Sequence, residues 1–411
     1  MRIISSTNKR ALRRLVGHNE TTDIARERRV KQIVDDVRRR GDRAVLEYAR
    51  QFDKLRGSIE ITTEEIRSGA RATPQAVRVA IKEVARHIRR VSAKQLPKAW
   101  RTTIVPGVVV EQRVTPLDRV GCYVPGGRYP LPSSLLMTVI PARVAGVREI
   151  FAACPNPQPA VLAAAVEAKV TRLFRIGGAH TIAAFAYGTA TVPSVDKIVG
   201  PGSTYVAAAK AYVARDCPID FYAGPTEIVI VSRDGNPEWI AADLVAQAEH
   251  DPDARGILLT PRRALARAVR AAVVEQLDDH PAAVASITSH GVVVVTRHVD
   301  EAIDLANAIA PEHAVTDTRA MANRLLKAGT VFVGPYAAQA AGDYATGSNH
   351  VLPTDGVARF RGGLSASDFV RVNSVQRLTR RGLRRLAPSI ISLANAEGLR
   401  AHAASVARRI I

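Results

Sequence analysis

The chain has 411 residues, 47% hydrophobic and 23% charged, a balance that excludes a disordered chain and supplies two or three domains with a sizeable core. Its formal charge of +20 raises nucleic acid as a partner, but aromatic residues are only 5%, too few for base-stacking platforms. Three widely spaced cysteines, Cys122, Cys154 and Cys217, form no CxxC pair, so no disulfide framework and a reducing compartment are expected.

The first residues, MRIISSTNKRALRRLVGHNE, carry no long apolar run, so no secretory signal is expected there. Residues 22–52 read as one long amphipathic helix, with Val30, Ile33, Val34 and Val37 at helical spacing. Its arginines interleave with Glu27, Asp35, Asp36 and Asp42, as on a solvated helix face. Residues 74–95 repeat the theme with Val77, Val79, Ile81, Val84 and Ile88.

From about residue 104 short β-rich runs alternate with Ala-rich helical stretches. The runs include 108–110, 119–124, 149–152, 172–176, 197–199, 228–231, 257–259, 292–295 and 331–333. Helices are expected at 136–147, 158–169, 181–188, 203–215, 236–249, 262–276, 298–309 and 318–328. Such alternation predicts an α/β fold with largely parallel sheets, and the strand number predicts two α/β units. The tail from about 376 reads as all-helical, with Pro388 near the start of its last helix. No apolar run reaches the length of a membrane span, and a cytoplasmic protein is expected.

Three glycine turns follow strands and precede helices: Tyr123-Val124-Pro125-Gly126-Gly127-Arg128, Gly177-Gly178-Ala179-His180 and Gly200-Pro201-Gly202-Ser203. Glycine admits a ligand close to the backbone and a helix N-terminus favours phosphate, so a dinucleotide is expected. A second, polar group is Gln247-Ala248-Glu249-His250, Pro311-Glu312-His313, the loop Gly342-Asp343 to His350, and Glu397 with His402 on the last helix. Gln247 and His250, three apart, are expected to share one helix face. Of the ten histidines, His18, His87, His280, His290 and His298 sit in ordinary surface-like sequence. His250, His313, His350 and His402 have polar neighbours. Two imidazoles, a carboxylate and an amide oxygen make an N/O site suited to zinc, with Glu312 and His313 free for proton transfer.

These segments resemble the histidinol dehydrogenase family. GCYVPGG, PSSLLMTVIPARVAGV, DKIVGPG, AGPTEI, AQAEH, PEHA, GDYATGSNHVLPT and EGLRAH occur in family order across nearly the whole chain. The resemblance implies two incomplete Rossmann-like α/β/α units with small helical terminal pieces. The expected division is 1–20, an N-terminal helical piece; 21–121 with 226–365, the first unit; 122–225, the NAD-side unit; and 366–411, a C-terminal helical domain reaching a partner subunit.

It also implies a homodimer with shared active sites that oxidises L-histidinol to L-histidine through the aldehyde, with zinc and NAD. The zinc ligands would be Gln247, His250, Asp343 and, from the partner, His402. Glu312 would activate water and His313 would take hydroxyl protons. Thr226, Gln247, His250, His313, Asp343, Glu397 and His402 would meet the substrate, and Tyr123, His180 and Ser203 the NAD. No direct role is expected of His350.

The chain departs from the family pattern at His180 for Gln, Ser203 for Asn, Thr226 for Ser, Phe221-Tyr222 for Met-Pro, Asp251 for Gly, and Arg128-Tyr129 for a small residue. Altered cofactor affinity is expected from His180 and Ser203. Arg128 also suits an anionic group, as in relatives that oxidise sulfonated propanediols, whereas Glu397 and His402 suit a substrate bearing amine and imidazole. A basic nucleic-acid-binding protein with a decayed site is the remaining alternative, and the intact Glu-His motif argues against it.

Overall fold

The computed structural model describes residues 1–17, 23–126, 130–222, 224–277 and 280–411; His18, Gly127, Arg128 and Tyr129 lie outside them. The first described strands are β1 Arg2–Ser5, β2 Glu60–Ile61, β3 Trp100–Val105, β4 Val108–Pro116, β5 Arg119–Tyr123, β6 Glu149–Ala153 and β7 Arg172–Phe174. Then come β8 Lys197–Val199, β9 Glu227–Val231, β10 Arg255–Thr260, β11 Val292–Val295, β12 His313–Thr316, β13 Thr330–Val333 and β14 Val370–Leu378.

Two of the sheets are those of the expected α/β fold. A six-stranded parallel sheet runs β1-β11-β10-β9-β12-β13. A five-stranded sheet runs β2-β7-β6-β5-β8, parallel except for β2. Helices cover both faces of each, so central strands bury both rows of side chains. All five residues of β9 are buried, Ile228 and Ile230 in one core and Val229 and Val231 in the other.

The chain divides differently from expectation. The N-terminal piece is not only helical: β1 pairs with β11 at the edge of the six-stranded sheet. Of the strands expected in the first unit from residues 21–121, β3 and β4 join a third sheet, and β2 and most of β5 join the five-stranded sheet. Val30, Ile33, Val34 and Val37 bury against helices Gly178–Tyr187 and Thr204–Val213 in that sheet's core. The single helix expected over 22–52 is two, Ile24–Arg40 and Asp42–Phe52. Gly41 between them takes φ +57°, which side-chain-bearing residues rarely adopt. In the second long helix, Gln75–Gln95, Ile81, Ala85, Ile88 and Ser92 are buried, whereas Val77 and Val79 are exposed. The helix expected over 318–328 shrinks to Arg319–Ala322.

A third sheet, β14-β4-β3, is antiparallel and was not expected. β14 pairs with β4 over nine residues within the expected C-terminal helical domain, its last three inside the tail read as all-helical. Most of its side chains face solvent, so it carries no apolar alternation. Helices Arg380–Ala396 and Arg400–Ile410 follow and pack on each other. Pro388 lies within the first of them, not near the start of the last.

Candidate active site

The polar motifs meet at the amino ends of β9 and β12. Thr226 immediately precedes β9, and Glu312 immediately precedes β12, which opens with His313. Gln247 is the penultimate residue of helix Pro237–Ala248, which follows the carboxyl end of β9, and His250 lies two residues beyond the helix. Asp343 sits on a short helix, Gln339–Tyr344, where a loop was expected.

Hydrogen bonds join Gln247, Thr226 and Glu312, and His250, His313 and Asp343 lie beside them. Gln247 Nε2 donates to Thr226 Oγ1, and that hydroxyl donates to Glu312 Oε2. The Glu227 amide donates to the same carboxylate oxygen at 3.0 Å. Gln247 Oε1 remains buried without a partner. His250 Nδ1 donates to the Ala246 carbonyl at 3.1 Å, which leaves Nε2 with its lone pair, 4.0 Å from Asp343 Oδ2. His313 lies between two carboxylates, Nδ1 3.8 Å from Glu312 Oε2 and Nε2 3.8 Å from Asp343 Oδ1.

Burial sets the charge states. It pushes the Glu312 carboxyl up to about 8, against the opposing hydrogen bonds from Thr226 and Glu227. It lowers His313 to about 4, which Asp343 opposes, so this imidazole is neutral near pH 7. Glu227 is raised to about 7 by burial despite Arg255 at 3.2 Å. The folded metal-free chain therefore holds a proton on Glu312 above its ordinary 4.5, where the unfolded chain has released it. That stabilisation is complete below pH 4.5 and lost as pH rises through about 8. His313 acts in the opposite sense only below 6.5. The melting temperature of metal-free protein is thus expected to fall from pH 6.5 to about 8, and Glu312→Gln to flatten the fall, as scanning calorimetry across that window would show.

The donors suit a borderline cation: an amide oxygen, an imidazole nitrogen and a carboxylate oxygen, with the amide oxygen an orphaned buried acceptor. Among the described residues no three His, Cys, Asp or Glu side chains converge to hold a metal, so His402 does not complete the set within one chain. It is exposed on the terminal helix pair, as is Glu397 at the end of the preceding helix. His350 is half-buried beside the site, Nδ1 donating to the Asp343 carbonyl at 2.9 Å and Nε2 3.3 Å from Ser134 Oγ. His87 reaches the Ala345 carbonyl, and His280 and His298 cap helices.

On the five-stranded sheet the glycine turns follow β5, β7 and β8. Tyr123 ends β5, and its hydroxyl accepts from the Gly178 amide at 3.1 Å. Gly200 has φ +113°, and a Cβ there would stand 2.1 Å from the Tyr123 carbonyl oxygen. Its amide donates to Asp220 at 2.8 Å, and the buried Lys210, paired with Asp220, donates to its carbonyl at 2.9 Å. Ser203 is exposed at the start of helix Thr204–Val213, and its hydroxyl does not cap that helix. His180, expected to meet the cofactor, is buried. Its Nε2 is 2.9 Å from Asp53 Oδ2, which also accepts from the Gly177 amide at 2.9 Å, and its ring lies near Tyr48 and Phe52.

Sequence reasoning missed Asp53, Lys210, Asp220, Glu227, Asp243 and Gln339. Each is a single polar residue within ordinary helix, strand or loop sequence. A Lys in the Ala-rich run Ala207-Ala208-Ala209-Lys210 was the one available signal.

Known proteins match this architecture end to end. A family model described as histidinol dehydrogenase covers residues 17–410. Histidinol dehydrogenase of Brucella suis biovar 1 (strain 1330) is 46% identical over 410 residues, 96% of this chain and 95% of that protein. That of Syntrophotalea carbinolica is 45% identical over 414 residues, 97% and 96% of the two chains. The crystal structure of histidinol dehydrogenase from Elizabethkingia anophelis superposes with a TM-score of 0.94 at 31% identity, covering 100% of this chain and 97% of that one. The chain belongs to the histidinol dehydrogenase family of oxidoreductases.

Proposed function

We propose that the protein oxidises L-histidinol to L-histidine in histidine biosynthesis, through the aldehyde, passing one hydride to each of two NAD⁺. The observation that carries this reading is the meeting of a buried Glu312–His313 pair with the donors Gln247, His250 and Asp343. Those three, with His402 of the partner subunit, would hold a zinc ion. When bound, the zinc supplies a Lewis acid that orients the amine and imidazole nitrogens of the substrate.

In the first stage the alcohol carbon gives a hydride to NAD⁺ and its hydroxyl gives a proton to His313. Burial suits that acceptor by keeping the imidazole neutral at working pH. In the second stage water adds to the aldehyde carbon, Glu312 takes a proton from that water, and a second hydride leaves to a second NAD⁺. Glu312 must be ionised to do so. The charge of the cation, when bound, would counter the burial that raises it. Glu397, across the same interface, would meet that amine, and Thr226 would line the substrate pocket while holding Glu312. Tyr123, Ser203 and the Gly177 and Gly200 turns would form the NAD side, with His180 acting from behind the turn.

The exposed helix pair carrying His402 and Glu397 favours a homodimer with shared sites. No helix among the described residues is long and apolar enough to cross a membrane, and the reading places the enzyme in the cytoplasm, without nucleic acid as partner. Metal analysis together with NADH release from histidinol tests the proposal. Zinc-loaded protein is expected to turn histidinol over and to stop on chelation. No NADH from histidinol at full zinc loading, or a preference for a sulfonated propanediol, would overturn it.

A further inference from the structure

Gln339 stands between two of the residues placed at this site. It opens the short helix Gln339–Tyr344, one turn before Asp343, and is 1% exposed. Its Nε2 is 2.8 Å from Asp343 Oδ2 and 3.3 Å from His313 Nε2. A carboxylate only accepts hydrogen bonds, so the amide nitrogen, and not the oxygen, faces Asp343. That nitrogen carries two hydrogens, and the second serves His313 Nε2. A ring nitrogen that accepts a hydrogen bond carries no proton of its own, so neutral His313 holds its proton on Nδ1, the atom facing Glu312. The Gln339 backbone is itself held, its amide donating to Asp243 Oδ1 at 3.3 Å.

We propose that Gln339 is a positioning residue of this site: one amide group keeps His313 Nε2 free of a proton and holds the Asp343 carboxylate in its orientation. The inference rests on the proposed chemistry for its purpose: a base must be held in one tautomer and orientation until the substrate hydroxyl displaces the Gln339 hydrogen from the Nε2 lone pair, and a fixed carboxylate is what a metal ligand needs. The hydrogen bonding itself does not depend on that chemistry. One small side chain thereby couples the base to the ligand, and a change at residue 339 acts on both.

Gln339→Leu keeps the size and removes both hydrogens. In metal-free protein with ¹⁵N-labelled histidine, the His313 ring signals, assigned by their loss in His313→Asn, are expected to report the Nδ1–H tautomer. In Gln339→Leu they should report a mixture of tautomers. Gln339→Glu, which presents acceptors where the amide presented donors, should move the proton to Nε2, and it serves if the Leu variant fails to fold. Zinc affinity of Gln339→Leu, measured by chelator competition, should drop about 10–100-fold, as for other residues that orient a ligand. At saturating zinc, kcat for histidinol should fall about tenfold or more with KM within about twofold, because a group acting through His313 works on the reacting state. An unchanged tautomer in both variants overturns the proposal, and so does a Leu variant with wild-type zinc affinity and kcat. Failure of the wild type to oxidise histidinol would instead remove the functional reading. The tautomer and zinc arms use no substrate and still decide the role of Gln339.

Discussion

Glu312→Gln is expected to slow oxidation of histidinal by about 10²–10⁴-fold while leaving oxidation of histidinol to the aldehyde within about tenfold of wild type. Only the second stage consumes water, so only that stage needs a carboxylate to take a proton from it. The substitution is mild in shape. A glutamine at 312 keeps an oxygen that can accept from the Thr226 hydroxyl and the Glu227 amide, so the link through Thr226 to Gln247 survives. It also removes the buried group whose proton is held to about pH 8, which costs no uncompensated charge. Supplying histidinal directly, and following single-turnover NADH formation from each substrate, separates the two stages. Equal losses in both would contradict the assignment of Glu312 to water.

His402→Asn and Gln247→Ala are each expected to lower zinc affinity and turnover by more than about 100-fold, beyond the loss seen for residues that only orient a ligand. Mixed together after subunit exchange, the two inactive proteins should recover roughly a quarter of the wild-type sites, since half the dimers are mixed and each has one complete site. The geometry behind this is specific. Gln247, His250 and Asp343 come together within one chain, whereas His402 stands exposed on a helix pair that packs on itself. Absence of recovery, with exchange verified by mass, would place His402 outside a shared site.

Much of the site was legible in the linear chain because polar residues interrupt strongly apolar surroundings. Gln247 and His250 close an Ala- and Leu-rich helix, and Glu312-His313 opens a buried strand. Gln339, Glu227 and Asp243 were not legible, since their meaning comes from burial, and burial depends on which distant elements pack over them. The surroundings of His180 were not legible either: it follows a glycine turn, and its ring meets Asp53, 127 residues away in sequence.

The sequence by itself determined the alternation of strands and helices, the parallel α/β class and the residue types available for metal and proton chemistry. Hydrophobic periodicity is local, and it survives without any tertiary contact. Only the tertiary structure decided that β1 joins a strand 290 residues away, that residues 24–95 cover the five-stranded sheet, and that the exposed β14 pairs with β4. It also decided that Asp343 lies on a helix with Gln339 at its back, because long-range packing selects among local patterns that are equal in sequence.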